Sequence, residues 1–286
     1  MEMVVTASVA LGRSWRPALL KRVASALVLL PVFLLIVVKA PGWMFNALVV
    51  IASAVALWEL LRLFGQRGRP VYSRLGLVAG TAVTAAFAAS RLVDPLMLPA
   101  LAVTLAVGIV LIAPVLSDAP AMEAVANTLL AVLYIGWLLG YGILLHHTSP
   151  IGDELVLFVV GVTWVGETTA YLIGSAVGRH TLAPVISPRK TVEGAVAQII
   201  ASVATGAALG GWLLPSCGAG VGVAGGLLLG VVGQFGDLAE SAVKRSVGTK
   251  DTGGLIPGHG GVLDRIDSLL LNLPAFYYFT WMTGCR

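Results

Sequence analysis

Acidic and basic residues gather between positions 236 and 268 of a chain that is otherwise poor in charge. The segment opens with residues spaced i, i+3, i+4, i+7 and i+8, namely Asp237, Glu240, Ser241, Lys244 and Arg245. On an α-helix this spacing places all five side chains on one face. The sequence therefore predicts a helix whose polar face carries two carboxylates beside two cations.

A glycine-rich loop, PGHGG at residues 257–261, follows this helix. Its polar companions are Lys250, Asp251 and His259. Gly260 and Gly261 can adopt positive backbone angles and present N–H groups to an anion. The loop is therefore a candidate phosphate cradle.

A second polar helix is predicted after the loop, with Asp264 and Asp267 at i, i+3 and Arg265 on another face. Mg²⁺ prefers a few carboxylates with water and phosphate oxygens, and Lys and Arg neutralise phosphate charge. We predict a magnesium site in which Asp237 and Asp264 bind the ion, with Asp267 and Asp251 as further groups and a second cation allowed. The alternative interpretation is a solvated loop whose acidic and basic residues form surface salt bridges. It can account for any one of these residues, but not for the helical spacing, the glycine-rich loop and the aspartates together.

Two upstream elements are weaker candidates when taken alone. Glu167 lies in a predicted span, roughly 15 Å from its inner end at 1.5 Å per residue, where a charge is costly. It either serves function or ties helices together through Tyr171, and these alternatives are balanced. In the run SPRKTVEG at 187–194, we expect Ser187 to cap a helix that starts at Pro188, with Lys190 and Glu193 one turn apart. The alternative, a cap with a topogenic basic pair, is favoured for this run alone.

The segment 241–267 carries S-x-V-K-R, then K-D-x-G, then I-P-x-H-G-G-V-x-D-R-I-D. This pattern resembles the signature of the phosphatidate cytidylyltransferase family, also called CDP-diacylglycerol synthases. The resemblance implies a polytopic, Mg²⁺-dependent enzyme that converts CTP and phosphatidate to CDP-diacylglycerol and pyrophosphate at a cytoplasm-facing site. Lys244, Arg245, Lys250 and Lys190 would then hold phosphates. His259 and the neighbouring amides would cradle the pyrophosphate.

The upstream elements extend this resemblance, with departures. Glu167, Thr168, Ala170 and Tyr171 are similar to an Asp-Thr-x-Ala-Tyr element of the family, and residues 187–194 are similar to its S-P-K-K-T-W-E-G. Glu167 stands where the family has Asp, Arg189 where it has Lys, and Val192 where it favours an aromatic residue. The charge is kept at the first two positions, and the loss of the aromatic residue affects packing with lipid or base.

The elements that position these residues must lie in a membrane. Of the 286 residues 58% are hydrophobic and 11% charged, with a mean hydropathy of +0.94, whereas a soluble domain carries roughly a quarter charged residues. We predict an all-α polytopic protein with about nine transmembrane helices, eight to ten. They lie near 23–40, 43–63, 75–92, 96–116, 124–145, 155–177, 193–214, 218–236 and 266–284.

Charge asymmetry sets the predicted orientation. With a cytoplasmic N-terminus, all of the 18 Lys and Arg residues except Lys39, Arg91 and Arg286 fall on the inner side. We therefore expect a bacterial inner (plasma) membrane protein with its site facing the cytoplasm. Residues 1–20 are either an interfacial helix or a disordered leader. The net charge of +4 is explained by the excess of basic residues on the inner side and by contact with anionic lipid headgroups. Nothing in the sequence indicates binding to nucleic acid.

The chain is predicted to be one transmembrane domain, with an apolar half at 1–150 and a half that carries the active site at 151–286. Gly222, Gly226 and Gly230 form a helix-packing face, and a homodimer is compatible with such faces. Cys217 and Cys285 share the outer side, so a disulfide is allowed, but two separate thiols are favoured.

We assign no catalytic role to the polar residues outside the predicted site. Glu59 is expected to reach the interface or to pair with Arg62. His146 and His147 are expected at the outer interface.

Two other functions compete with cytidylyl transfer. A CTP-dependent lipid-alcohol kinase would leave CDP rather than pyrophosphate and would need a base. A transporter would carry ions through Glu167 and the aspartates, but it predicts related halves, and the two halves here differ in character.

Overall fold

The computed structural model describes residues 27, 30–90, 94–116, 122–253 and 260–286. The helices are α1 (30–38), α2 (Gly42–Gln66), α3 (Ser73–Ala89), α4 (Met97–Leu116), α5 (Met122–Ala131), α6 (Leu138–His146), α7 (Gly152–Val177), α8 (Val192–Leu213), α9 (Ala219–Ser246) and α10 (Leu263–Thr283). A π-helical segment, Val132–Trp137, joins α5 to α6 in one continuous rod. Strands β1 (Thr181–Ala183) and β2 (Ser187–Thr191) form an antiparallel hairpin between α7 and α8.

The all-α membrane class is confirmed. Within the described ranges, six helices are long and apolar enough to cross a bilayer: α2, α4, the rod Met122–His146, α7, α8 and α9. The eight predicted spans from 43–63 onwards coincide with α2–α10, so the predicted count of nine is approximate. Helix α3 is shorter and α10 carries charge at its start. The first predicted span is only partly described, and the interfacial helix predicted at 1–20 lies outside the described residues.

Helices α8 and α9 pack through glycines, as the spacing of Gly222, Gly226 and Gly230 predicts. A Cβ atom on Gly206 would lie 2.4 Å from the Gly222 carbonyl oxygen, and one on Gly226 would lie 2.4 Å from the Ser202 carbonyl oxygen. Because neither position has room for a side chain, the two backbones touch directly. This close approach brings the polar end of α9 beside the start of α8.

Residues up to His146 pack mainly with large side chains. One glycine contact joins α3 to the π-helical segment, where a Cβ atom on Gly136 would lie 2.6 Å from the Gly80 carbonyl oxygen. The Phe87 ring lies 5.3 Å from the Trp137 ring and 5.4 Å from the Tyr141 ring, centroid to centroid. Gly140 makes room for it, since a Cβ atom there would lie 2.2 Å from the Phe87 ring. The apolar half is therefore a filled core.

A disulfide joins Cys217 to Cys285, so the favoured expectation of two separate thiols is wrong. Cys217 follows α8 and Cys285 follows α10. The bond can form because both helices end at the same end of the bundle. The opposite end holds the end of α7, the hairpin, the end of α9 and the start of α10.

Candidate functional site

The polar end of the bundle is built from two helix ends. Helix α9 continues to Ser246, and α10 begins at Leu263, as the spacing of the acidic residues predicts. The 28 residues of α9 span about 42 Å at 1.5 Å per residue, which exceeds the roughly 30 Å hydrocarbon core. The last turns of α9 can therefore project beyond the core.

Lys244 joins these two helices. Its Nζ lies 2.9 Å from Asp264 Oδ1 and also pairs with Glu240, which is 1% exposed. Asp264 Oδ2 accepts a 2.8 Å hydrogen bond from the Gly261 N–H, and both carboxylate oxygens lie 3.3 Å from the Thr252 nitrogen. Asp264 thus contacts described residues on both sides of segment 254–259.

Asp237 meets a cation from the hairpin, because Lys190 Nζ lies 2.6 Å from its Oδ2. The expected helix start at Ser187 and Pro188 is wrong, since Ser187–Thr191 forms strand β2 with Ser187 opposite Ala183. The extended backbone continues to Thr191, whose hydroxyl caps α8 by accepting from the Gly194 N–H at 3.1 Å.

Lys190 and Glu193 therefore do not share a helix face. Glu193 Oε1 lies 2.6 Å from His180 Nδ1, and its Oε2 accepts from the Arg179 N–H at 3.1 Å. The Glu193 carboxylate thus binds Arg179 and His180, which precede β1 at the base of the hairpin. Lys190 pairs with Asp237 instead.

A cavity of about 630 Å³ lies between α7, α8, α9 and the hairpin. Its walls include Glu167, Ala170, Tyr171, Gly174, Arg189, Lys190, Gln198, Gln234, Asp237 and Lys250. Glu167, Ala170, Tyr171 and Gly174 all line this cavity and therefore share one face of α7. Three cations and two carboxylates around one cleft suit a phosphorylated ligand.

Asp267 adds a further carboxylate within electrostatic range of Asp237. Gly236 touches α10 so closely that a Cβ atom there would lie 3.0 Å from the Asp267 carbonyl oxygen. Asp267 is within electrostatic range of Asp237, Glu240 and Glu167. Its carboxylate accepts a 2.7 Å hydrogen bond from the Ser268 N–H.

The predicted metal ligands are not gathered into one set. Across the described part of the chain, no three or more His, Cys, Asp or Glu side chains form a group that could hold an ion. Asp264 is engaged by Lys244 and two N–H groups, whereas Asp237 and Asp267 are within electrostatic range of each other. Since Mg²⁺ commonly takes one or two protein carboxylates and completes its shell with water and phosphate, Asp237 and Asp267 fit it.

The remaining predicted residues lie around this centre. Arg245 donates from Nε to the Ile186 carbonyl at 3.1 Å and from Nη1 to the Thr249 carbonyl at 2.9 Å, so it holds loop backbone. Ser241 is half-buried on α9, Asp251 is exposed, and Arg265 is exposed within electrostatic range of Glu167. Gly260 has a φ of 82°, the positive angle expected of it. His259 lies outside the described residues.

Two residues of the apolar half reach the site unexpectedly. Glu59 is 2% exposed and accepts hydrogen bonds from the Val262 and Leu263 N–H groups, so its expected reach to the interface or to Arg62 is wrong. Arg62 instead stacks on Trp58. Tyr134, in the π-helical segment, is within electrostatic range of Glu240, Asp267 and Asp237. The sequence feature that could have indicated a role for Glu59 is the presence of a carboxylate inside an apolar span, where a charge is costly.

His146 and His147 lie at the opposite end from the site. His146 Nε2 is 3.2 Å from Asp153 Oδ1, and His147 Nε2 is 2.9 Å from Asn46 Oδ1. Both rings therefore join helix ends away from the cavity.

Known proteins are similar to about half of this chain. The chain is 46% identical over 143 residues to a phosphatidate cytidylyltransferase of Brucella abortus biovar 1 (strain 9-941), covering 48% of this chain and 50% of that protein. It is 38% identical over 157 residues to one of Staphylococcus aureus (strain COL), covering 52% and 56%. An uncharacterised protein, YnbB, of Escherichia coli (strain K12) is 40% identical over 153 residues, covering 53% and 50%.

The chain therefore spans about half the length of the curated relatives it matches. A match to the family as a whole extends further, over residues 20–283. It takes in both the apolar half and the polar end of the bundle. The chain belongs to the cytidylyltransferase family.

Proposed function

We propose that this chain transfers the cytidylyl group of CTP to phosphatidate, giving CDP-diacylglycerol and pyrophosphate. The observation that carries the proposal is the cavity lined by Arg189, Lys190 and Lys250 beside Asp237 and Glu167, within a bundle of membrane helices. Such a cleft can receive a nucleotide from water and a lipid phosphate from the bilayer. The names of the Brucella and Staphylococcus relatives support the same reaction.

The chemistry requires little acid–base help from the protein. A phosphate oxygen of phosphatidate forms a bond to the α-phosphorus of CTP. The bond from that phosphorus to the bridging oxygen breaks, and pyrophosphate leaves with the electron pair. Because a phosphate monoester is already anionic near neutral pH, positioning and charge neutralisation carry the catalysis.

The cavity cations have distinct tasks in this proposal. Arg189 presents a planar fork suited to two phosphate oxygens, while Lys190 and Lys250 act as point charges. Lys190 already neutralises Asp237 at 2.6 Å, and its rotatable ammonium can turn to a phosphate. Lys244 is sequestered between Glu240 and Asp264 and holds α9 against α10. His259 and the amides of the glycine-rich loop would contact pyrophosphate.

We further propose that Mg²⁺ is the cofactor, held by Asp237 and Asp267. When bound, the ion would neutralise charge that develops on the phosphates. The side chains of Glu167 and Glu240 add negative potential around this pair. Asp264, with its three protein donors, would set the loop rather than hold the ion.

The site is proposed to face the cytoplasm of a bacterial plasma membrane, where CTP is available. The hairpin residue Val185 is 89% exposed at the site end, and Ser149, between α6 and α7, is exposed at the other. Val185→Cys should react with a membrane-impermeant maleimide in inverted vesicles but not in intact spheroplasts, and Ser149→Cys should show the reverse. The opposite labelling pattern would overturn this orientation.

Pyrophosphate release tests the reaction itself. Purified protein in mixed micelles is given CTP and Mg²⁺ with phosphatidate, with diacylglycerol or with no lipid. We expect release only with phosphatidate, and its loss when the metal is chelated. CDP formation with diacylglycerol would instead indicate a kinase, and release without lipid would contradict the proposed acceptor.

A further inference from the structure

Glu59 lies in α2, more than 200 residues before the loop that it contacts. Its Oε1 accepts a hydrogen bond from the Val262 N–H at 3.0 Å, and its Oε2 accepts one from the Leu263 N–H at 2.9 Å. The side chain is 2% exposed. A buried carboxylate from the apolar half therefore ends on the first residues of α10.

This contact satisfies a need of α10. The first N–H groups of a helix have no partner within the helix, and the Val262 cap position contributes no side-chain hydrogen bond. The Glu59 carboxylate accepts from two of these donors. Its negative charge lies at the positive end of the helix dipole, where it stabilises the helix. Hydrogen bonds to an ionised carboxylate are stronger than neutral ones.

Glycines on both sides of segment 254–259 pack against this carboxylate. A Cβ atom on Gly253 would lie 2.8 Å from Glu59 Oε1, and one on Gly261 would lie 2.7 Å from both carboxylate oxygens. The described residues on either side of the loop therefore converge on Glu59. Gly261 also donates its N–H to Asp264 at 2.8 Å, so the positions of the two carboxylates are coupled through one glycine.

We propose that Glu59 is a positioning residue for the reaction, fixing the start of α10 so that Asp264 and Asp267 face α9 in one geometry. The proposal rests on the cytidylyl transfer proposed above. Glu59 itself touches neither substrate in this role. Its effect passes through the Val262 and Leu263 amides, and a displacement of about 1 Å in such a site can cost about 100-fold in rate.

Glu59→Gln is the informative variant. The amide keeps the size of the side chain but offers one acceptor and one N–H₂ group, so one backbone N–H would face another donor. The matched control is Glu154→Gln, which makes the same chemical change in the first turn of α7, at the end of the bundle away from the site.

The test combines kinetics with amide hydrogen exchange. We expect Glu59→Gln to lower kcat by about 10- to 100-fold with KM values within about threefold, and to speed exchange in a peptide covering residues 260–266 but not in α9. Glu154→Gln should match wild type in both. A merely structural role would reduce the folded fraction while leaving kcat per folded molecule unchanged, and that result would overturn the proposal.

Gly253→Ala provides a second route if Glu59→Gln does not fold. It keeps Glu59 but crowds Oε1, and we expect the same local rise in exchange with a smaller fall in kcat. Wild-type exchange in this variant would count against the proposal. Should the wild-type protein make no CDP-diacylglycerol, the exchange experiment still tests the Glu59 contact, so the two failures are distinguishable.

Discussion

The two halves of the bundle differ in their main packing contacts. Residues up to His146 enclose Phe87, Trp137 and Tyr141 in a core of large side chains, whereas α8 and α9 meet through Gly206, Gly222 and Gly226. Large interlocking side chains make a firm support. Glycine contacts bring backbones together, which draws the polar ends of helices into one cluster. We propose that this difference separates a supporting half from a half that carries the chemistry.

The supporting half is nevertheless joined to both ends of the loop between α9 and α10. Glu59 binds the start of α10, and Arg69 donates from Nη2 to the Ser246 carbonyl at the end of α9 at 3.1 Å. A carboxylate at the start of a helix and a cation at its end both interact favourably with the helix dipole. The loop is thus held by charges that complement the two helices.

The sharpest test of this division removes a charge from the chemical half. Asp237→Asn should lower cytidylyl transfer by at least about 100-fold, because the site loses a preorganised charge that faces Lys190 at 2.6 Å. Membrane insertion and melting temperature should stay near wild type. Activity is measured as labelled CDP-diacylglycerol formed per folded molecule. Full activity in this variant would remove Asp237 from the site.

A smaller loss is expected at the hairpin. Lys190→Ala should raise KM for CTP and reduce kcat/KM by about 10- to 100-fold, since one charge-assisted phosphate contact is lost. The control is Arg179→Ala, an exposed residue whose backbone N–H, rather than its guanidinium, contacts Glu193. Steady-state kinetics at varied CTP separates the two variants. Equal effects would show that general positive charge, rather than Lys190, is what matters.

Glycine packing can be tested within one helix. Gly222→Val should destabilise the α8–α9 contact by about 1–3 kcal/mol through overpacking, because a Cβ atom there would lie 2.6 Å from the Gly206 carbonyl oxygen. Gly220 has nothing within 4 Å of its Cβ position, so Gly220→Val is the matched control. Thermal unfolding in detergent measures both. Equal melting temperatures would contradict direct backbone contact between α8 and α9.

The smallest effect on activity is expected at the far end of the bundle. Replacing Cys217 and Cys285 together by Ser removes the disulfide and should lower the melting temperature, since the cross-link constrains the unfolded chain. The rate of the folded enzyme should stay within about twofold, because the site lies at the other end. A large fall in kcat at a temperature where the variant is folded would show coupling between the ends.

Periodic features could be predicted from sequence. The continuation of α9 to Ser246 and the start of α10 at Leu263 follow from polar spacing of 3 and 4 residues, which depends only on local geometry. The glycine face of α9 followed in the same way. Membrane helices followed from hydropathy, since a bilayer leaves few alternatives to a helix.

Contacts between distant segments could not be predicted. The local sequence at Ser187 and Pro188 favours the start of a helix. Pairing with β1 instead keeps the chain extended to Thr191, and the Thr191 hydroxyl caps α8. Glu59 carries no local sign of its partner, because Val262 and Leu263 contribute only backbone N–H groups. The Cys217–Cys285 bond likewise depends on how α8 and α10 end in space.

The fate of each phosphorus atom of CTP tests the central claim most directly. Purified protein would be given phosphatidate and Mg²⁺ with CTP labelled at either the α- or the γ-phosphorus. We predict that the α-label moves into the lipid fraction in a 1:1 ratio with pyrophosphate carrying the γ-label. Transfer of the γ-label to lipid, with CDP left in solution, would contradict the account.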